Sequence, residues 1–250
     1  MLYGNESISH YTKSNISIWM TLAFQAGMLN IGGFMACHRF VSHVTGFATH
    51  IGFELSEFHY SQAIGMMSVP MFFLLGSMLS GLLVDLRLKL HKKPRYYFTF
   101  GVIFFMILTV LTGGTSGHFG VFGESLDLIR DYELLAILCL VCGIQNGTIT
   151  TVSKSIIRTT HLTGITTDLG IGIIRVLNQH KIQGSHADEV YANLMRVGII
   201  AFFLIGSIAG GFMFSNFGYK GFIAPAITSG LLFASTFYFQ VIKKHEPRHL

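Results

Sequence analysis

Charged residues are scarce in this sequence. Asp, Glu, Lys and Arg make up 12% of the 250 residues, whereas 51% are hydrophobic and the mean hydropathy is +0.56. An ordinary soluble domain carries about 25% charged residues, so this composition excludes that class and predicts an all-α integral membrane protein. About 20 apolar helical residues cross a bilayer. Six stretches qualify, at 17–37, 63–84, 96–113, 133–152, 197–215 and 221–242.

Acidic side chains are absent from the middle of every predicted span. This absence excludes a carboxylate proton relay of the usual kind. Cysteine is also rare, and all three cysteines lie in or at the end of predicted spans, where we interpret them as small packing residues and not as a disulfide framework. They are Cys37, Cys139 and Cys142. No small-residue cleavage site follows the first apolar run, which predicts a retained helix and not a signal peptide.

Motifs for catalysis are missing as well. The sequence has no Ser/His/Asp order, no phosphate-binding loop and no compact metal motif such as HExxH, so we expect no enzymatic activity, no cofactor and no bound metal. Imidazole and carboxylate groups that share a helical face can hold a transition metal. The loose spacing of such a set favours an ordinary polar face on an interfacial helix. The set consists of His43, His50, Glu54 and Glu57.

The basic residues are unevenly distributed between the two sides of the membrane. With six spans, most of the seventeen Lys and Arg residues fall on the side of both termini. The other side holds Arg39, Arg130 and Lys220. Because basic residues are enriched in cytoplasmic loops, both termini are predicted to be cytoplasmic. The net charge of +5 then reflects orientation and contact with anionic lipid, and we expect no nucleic-acid binding.

The first and fourth predicted spans carry amide side chains among their apolar residues. An amide in hydrocarbon needs a hydrogen-bonding partner, so these side chains are predicted to face other helices or a cavity. We regard them as candidate solute-binding residues. They are Gln25, Asn30, Gln145, Asn146 and Thr148.

Two motifs occur twice along the chain. Residues 27–30 (GMLN) and 43–46 (HVTG) return as 143–146 (GIQN) and 161–164 (HLTG). Each unit contains three spans, and an odd number reverses the second unit in the bilayer, which predicts two inverted three-helix repeats. The predicted units are repeat one at about 17–113, a linker at about 114–132, and repeat two at about 133–242. The two GxxN motifs are expected to approach each other at mid-membrane, and the HxTG elements to mark opposite faces.

The second and fifth spans also match position by position. Residues 73–81 read FLLGSMLSG and residues 203–211 read FLIGSIAGG. Small residues four apart let helix backbones approach closely, which favours a packing role. The packing positions are Gly76, Ser80, Gly206 and Gly210.

The HxTG elements allow two interpretations. In the first, Thr-Gly ends a helix, because Gly adopts backbone angles that other residues avoid and Thr can satisfy freed backbone groups. In the second, each element is a broken helix whose amides and histidine meet a solute or ion and serve as a gate. The residues concerned are His43, Thr45 and Gly46 in one repeat and His161, Thr163 and Gly164 in the other.

On residues 27–30, 40–46, 143–146 and 159–164, the chain resembles the YoaK family of small bacterial membrane proteins. The resemblance covers nearly the full length and implies six spans in the bacterial inner membrane, but it supplies no activity. Asn30 stands where the family usually has Asp, and Phe47 where it has Asn. A second resemblance, at residues 81–87 (GLLVDLR), is to the cytoplasmic loop between the second and third helices of the major facilitator superfamily.

Two functions follow as hypotheses. The first is a permease for a small polar solute, whose cavity the amides line. A six-span unit is half of a major-facilitator-type transporter, so we expect a homodimer if a central pathway exists. The second is a non-transporting membrane scaffold or regulatory partner, in which the same amides lock the helices together.

Overall fold

The computed structural model describes residues 13–124, 129–153, 162–178, 180 and 186–243. All regular structure in this part of the chain is helical, which confirms the all-α prediction. The α-helices are α1 (Lys13–Cys37), α2 (Val44–Ser56), α3 (Tyr60–Ser80), α4 (Leu86–Lys89), α5 (Tyr96–Thr115), α6 (Ile129–Val152), α7 (Leu162–Leu177), α8 (His186–Phe217) and α9 (Ile223–Phe237). Two π-helical segments, Gly81–Asp85 and Tyr238–Ile242, follow α3 and α9, and the 3₁₀-helix Gly218–Phe222 joins α8 to α9.

Five helical stretches of the described residues are long and apolar enough to cross a membrane. They are Asn15–Cys37, Tyr60–Lys89, Tyr96–Thr115, Tyr132–Thr151 and Ala187–Ile242. The last is 56 residues long, whereas one crossing takes about 20. It is interrupted at Gly218, which has a φ of 54°. Because the rings of Phe214 and Phe222 meet at 4.8 Å on either side of this point, the chain turns back between α8 and α9.

Helix α8 begins earlier than the hydropathy predicts. The apolar stretch starts at residue 197, but α8 starts at His186, and Asp188 and Glu189 lie in its first turn. Acidic side chains are favourable there because the amino-terminal end of a helix carries partial positive charge. This polar extension packs against the short helix α7. The part of α8 that lacks an apolar pattern is therefore the part that packs against α7.

Helices α1 and α8 pack closely along parallel directions. A Cβ added at Gly27 would overlap the backbone oxygen of Phe203, and one added at Gly206 would overlap that of Phe24. The Oγ of Ser207 donates a hydrogen bond to the Gly27 oxygen at 3.3 Å. The backbones approach because the contact positions carry no side chain. Gly210 continues the same contact one turn further on, near Met28 and Ile31.

Helices α3 and α6 pack in a corresponding way. A Cβ at Gly143 would overlap the backbone oxygen of Phe73, and one at Gly76 would overlap that of Leu140. The Oγ of Ser77 donates to the Gly143 oxygen at 3.3 Å. Ser80 follows one turn later, and a Cβ added at Gly147 would lie 2.9 Å from the Cβ of Ser80. The nearest neighbours of Gly143 thus belong to α3 and not to α1, which corrects the prediction that the two GxxN glycines approach each other.

Helices α5 and α9 form the third contact and run antiparallel. A Cβ at Gly101 would lie 3.1 Å from the ring of Phe233, and one at Gly230 would lie 3.0 Å from the ring of Phe104. The two rings stack with centroids 6.2 Å apart and an interplanar angle of 20°. Each helix thus provides one glycine and one phenylalanine to the same contact.

A polar cluster holds the short helix α7 against α8. Arg196 donates to Glu189 at 2.9 Å and to Asn193 at 2.6 Å, and Arg175 of α7 reaches Glu189 at 3.5 Å. Gly172 of α7 lies directly over these groups, since an added Cβ would lie 2.6 Å from Nη1 of Arg196 and 2.8 Å from Oε1 of Glu189. Contact at this position requires a residue without a side chain.

Replacing Gly172 by alanine is expected to release α7 from α8. The added methyl group displaces the Arg196–Glu189 pair, and overpacking of this kind costs about 1–3 kcal/mol. Amide hydrogen exchange across Leu162–Leu177 should therefore become faster. Gly170→Ala is the matched control, because nothing lies within 4 Å of a Cβ at Gly170. Equal exchange in the two variants would show that Gly172 does not set the position of α7.

Candidate functional site

A pair of glutamine side chains lies at the centre of the bundle. Gln25 of α1 and Gln145 of α6 are 0% and 1% exposed, and Nε2 of Gln25 donates to Oε1 of Gln145 at 3.0 Å. Helices α1 and α6 are the innermost of the membrane-length helices, with 61% and 67% of their most apolar residues buried, against 24% in α3. The amides therefore meet where neither lipid nor water reaches them.

Two further bonds complete this amide network, which comprises Gln25, Gln145, Thr228 and the backbone oxygen of Leu22. Nε2 of Gln145 donates to the Leu22 oxygen at 2.9 Å, and Oγ1 of Thr228 in α9 donates to Oε1 of Gln25 at 2.7 Å. A buried amide without partners is costly in a low-dielectric interior. The network therefore links α1, α6 and α9 by direct side-chain bonds.

Thr148 lies nearly one turn beyond Gln145 on α6 and makes a separate contact. Its Oγ1 is 2.9 Å from Oγ of Ser80 in α3, and it also donates to the Ile144 oxygen at 2.8 Å. Both hydroxyl-bearing residues are buried. Ser80, which the sequence placed among the packing positions, is thus also a polar partner of a candidate solute-binding residue.

The two asparagines occupy equivalent places in the repeated motifs but differ in their bonding. Oδ1 of Asn30 accepts a hydrogen bond from Oγ of Ser42 at 3.0 Å, which ties the end of α1 to the start of α2. Oδ1 of Asn146 is buried and has no hydrogen-bond partner among the described residues. An unpaired buried acceptor is unusual enough to require an explanation. Asn146 is therefore the candidate residue with an open bonding position.

The Thr-Gly pairs begin helices and do not end them. Thr45 and Gly46 lie in the first turn of α2, and Thr163 and Gly164 lie in the first turn of α7. In both helices the threonine oxygen accepts a bond from a threonine hydroxyl one turn later, at 3.2 Å in α2 and 3.0 Å in α7. The interpretation as a helix end is therefore corrected to a helix start.

Of the two histidines in these elements, His43 lies within the described residues. His43 precedes α2, and its Nδ1 would lie 2.7 Å from a Cβ added at Gly46, so the ring covers the glycine. His161 lies outside the described residues. The break between α1 and α2 spans residues 38–43, and α2 then packs against α3.

Glu54 on the polar face of α2 makes a hydrogen-bond contact with His59, which precedes α3. Glu54 contacts Nδ1 of His59 through Oε2 at 3.1 Å. His43, His50 and Glu57 are exposed along the same segment. Across the described ranges, no group of three His, Cys, Asp or Glu side chains is placed to hold a metal ion.

Sequence reasoning missed two partners of the candidate residues. Thr228 binds Gln25, and Ser42 binds Asn30. Neither belongs to a repeated motif, and hydroxyl residues are common in apolar helices. The only available signal was that a buried amide must have a partner somewhere.

Apolar helices of membrane length, packed around a buried amide network, define a helical membrane protein. The family model described as "Protein of unknown function (DUF1275)" matches residues 18–236, and the chain belongs to this family. The match confirms the YoaK-like resemblance. No curated protein and no solved structure matches the chain, so the resemblance to the major facilitator superfamily gains no support.

Proposed function

We propose that this protein is a permease for a small uncharged polar solute, built from two inverted three-helix repeats at about 17–113 and 133–242. The main support for this proposal is the buried Oδ1 of Asn146, which has no hydrogen-bond partner in the described part of the chain. It adjoins Gln145, whose amide accepts a bond from Gln25 and donates one to the Leu22 oxygen at the contact between the repeats. A solute with an N–H or O–H group can supply the missing donor.

The repeat interpretation is supported by three matched contacts. The glycine–serine contact of α1 with α8 corresponds to that of α6 with α3. Helices α5 and α9 are the third helices of the two repeats, so exchanging the repeats leaves their glycine–phenylalanine contact the same. Matching of this kind is expected from a twofold axis in the membrane plane. The short helices follow the same rule, since α2 packs on α3 and α7 packs on α8.

Six crossings with both termini in the cytoplasm agree with the helix directions. Helices α1 and α8 run parallel, as do α3 and α6, while α5 and α9 run antiparallel, as alternate crossings require. The excess of Lys and Arg on the side of the termini favours a cytoplasmic placement. The proposed location is the bacterial inner membrane, and the proposed assembly is a homodimer without cofactor, nucleic acid or catalytic activity.

An uncharged solute is favoured by the character of the interior. Every fully buried polar side chain in the described ranges is an amide or a hydroxyl, including Gln25, Ser80, Gln145 and Thr148. A charged solute would need an opposite charge to offset its desolvation. The interior offers hydrogen bonds alone.

Uptake by the full chain in proteoliposomes tests the proposal. Vesicles with and without protein are compared across a panel of small polyols, amides and amino alcohols. For a transported solute, Asn146→Ala should lower uptake about tenfold, the effect of one hydrogen bond to a buried group. Asn216→Ala is the control, because that side chain is exposed and bonds its own helix at the Phe212 oxygen. Equal uptake with and without protein for every solute would refute the permease.

A scaffold remains the second candidate because one observation favours it. The amides of Gln25 and Gln145 are paired with each other, and Thr228 also donates to Gln25, as expected of groups that lock helices together. Under this alternative, Asn146→Ala should leave function unchanged, and only the variants of the amide network should matter. A pull-down from cross-linked membranes with parent and Gln25→Leu protein would reveal a partner whose recovery depends on the locked bundle.

A further inference from the structure

Aromatic rings fill one end of the bundle. They come from the loop after α5, from the end of α8 and from the 3₁₀-helix, and we call them the aromatic cluster. Its members are Phe119, Phe122, Phe214, Tyr219 and Phe222. Four of the five are buried. This end of the bundle is the outer one in the proposed topology, because α1 and α8 both finish there.

Phe214 is the central ring of the aromatic cluster. It is 1% exposed, stacks on Phe122 at 5.9 Å and meets Phe222 edge-on at 4.8 Å. Its Cζ would lie 2.5 Å from a Cβ added at Gly32 of α1, so the ring lies directly on the α1 backbone. Gly32 lies two turns, about 10 Å, beyond Gln25 along α1. The ring therefore lies between the amide network and the outer surface.

The loop at residues 116–124 covers the aromatic cluster and is tied down at both sides. The hydroxyl of Tyr219 donates to the Phe119 oxygen at 3.2 Å. On the other side, Nε2 of His38 bonds the Gly123 oxygen at 3.0 Å. These two bonds connect the loop to the 3₁₀-helix and to the end of α1, so the loop and the ring form one closed layer.

The opposite end has no such ring at the corresponding positions. The repeated motifs align Gly27 with Gly143 and Phe73 with Phe203, and they therefore align Gly32 with Thr148 and Phe214 with Val84. Where the outer end has a phenylalanine on a glycine, the inner end has a valine and a threonine. Thr148 there bonds Ser80 at 2.9 Å. The two ends thus correspond in backbone position, but they carry different side chains.

We propose that the Phe214 ring, seated on Gly32 and covered by loop 116–124, is the outer gate of this bundle, and that it closes the way from the outer surface to Asn146 in this conformation. The inference rests on the proposed permease function and assigns the closed side of its pathway. Outward opening then requires Phe214 to leave Gly32, which separates the outer parts of α1 and α8.

Thiol labelling in membrane vesicles tests the gate without any knowledge of the solute. The full chain is expressed with alanine at the three native cysteines, Cys37, Cys139 and Cys142, and with Asn146→Cys as the reporter. A membrane-impermeant cationic methanethiosulfonate is applied to right-side-out and to inside-out vesicles. The reporter should react slowly in right-side-out vesicles, and Phe214→Ala should raise its reaction there about tenfold, whereas labelling in inside-out vesicles should not change.

Phe212→Ala is the matched control on the same helix. Phe212 is 70% exposed and lies on the side of α8 that faces away from the bundle. Removal of its ring should therefore leave labelling from both sides of the membrane unchanged. Tyr219→Phe is a milder variant that keeps every ring and removes only the bond to the Phe119 oxygen. It should give a smaller rise in outer labelling, and it keeps the test valid if Phe214→Ala does not fold.

The outcomes separate the gate from the permease. Outer labelling that is unchanged in both Phe214→Ala and Tyr219→Phe overturns the gate. If labelling follows the expected pattern but no solute enters proteoliposomes, the closed outer end stands and the permease function fails.

Discussion

Gly206→Ala is expected to destabilise the bundle by about 2–3 kcal/mol, a cost typical of overpacking at a tight contact. The added Cβ would overlap the backbone oxygen of Phe24, and neither backbone can yield without separating α1 from α8. The separation would also weaken the bond from Ser207 to the Gly27 oxygen. The measurement is the fraction of folded protein in mixed micelles as the share of denaturing detergent is raised.

The control for this result lies five residues further along the same helix. Gly211→Ala places a Cβ whose nearest contact is a side-chain carbon of Ile31 at 4.0 Å, so its stability should match or slightly exceed that of the parent, since alanine favours a helix over glycine. If both variants unfold at the parent's detergent fraction, the α1–α8 contact contributes little. Loss of stability in both would point to a general intolerance of α8.

Gln25→Leu is expected to cost about 1–3 kcal/mol, because it leaves Oε1 of Gln145 buried without a donor. Nε2 of Gln145 keeps its bond to the Leu22 oxygen. The Thr228 hydroxyl loses Oε1 of Gln25 but keeps the Pro225 oxygen at 3.1 Å, so the group left without any partner is the Gln145 acceptor. Gln145→Leu should cost a similar amount. The double variant should be more stable than the sum of the two losses predicts, by about 1 kcal/mol, since a nonpolar pair leaves no amide unsatisfied.

The same detergent titration measures all three glutamine variants as a double-mutant cycle. Thr228→Val serves as a further control that removes only the donor to Gln25, whose Nε2 keeps its bond to Gln145. A cycle with no coupling energy would mean that the two amides do not interact across the bundle. That result would also remove the main argument for the scaffold alternative.

Individual elements show how far sequence reasoning reached. Hydropathy predicts the membrane-length helices, and the polar face formed by His43, His50, Glu54 and Glu57 predicts the short helix α2. Hydropathy alone does not predict the start of α8 at His186, because the first residues of this helix are polar and pack on α7. The HxTG elements were interpreted as helix ends or breaks, whereas their Thr-Gly pairs open the next helix.

In the candidate site, too, the sequence predicts some features and the structure alone shows the others. The sequence placed Gln25 and Gln145 among the groups that need partners, but it assigned the same role to Asn30 and Asn146. In the structure Asn30 is bonded to Ser42, whereas the Asn146 acceptor is unpaired. The local sequences of the two motifs are too similar to reveal this difference. Their solute-binding roles stay a prediction until uptake is measured.

By itself, the sequence determined the membrane class and the family resemblance, because hydropathy and short motifs are properties of residues close together in the chain. Only the tertiary structure decided which groups meet. Gln25 and Gln145 are 120 residues apart, and their bond depends on the helix pairs bringing α1 and α6 to the centre. The position of the Phe214 ring depends on the fold in the same way, because the ring fits against α1 only where Gly32 leaves room for it.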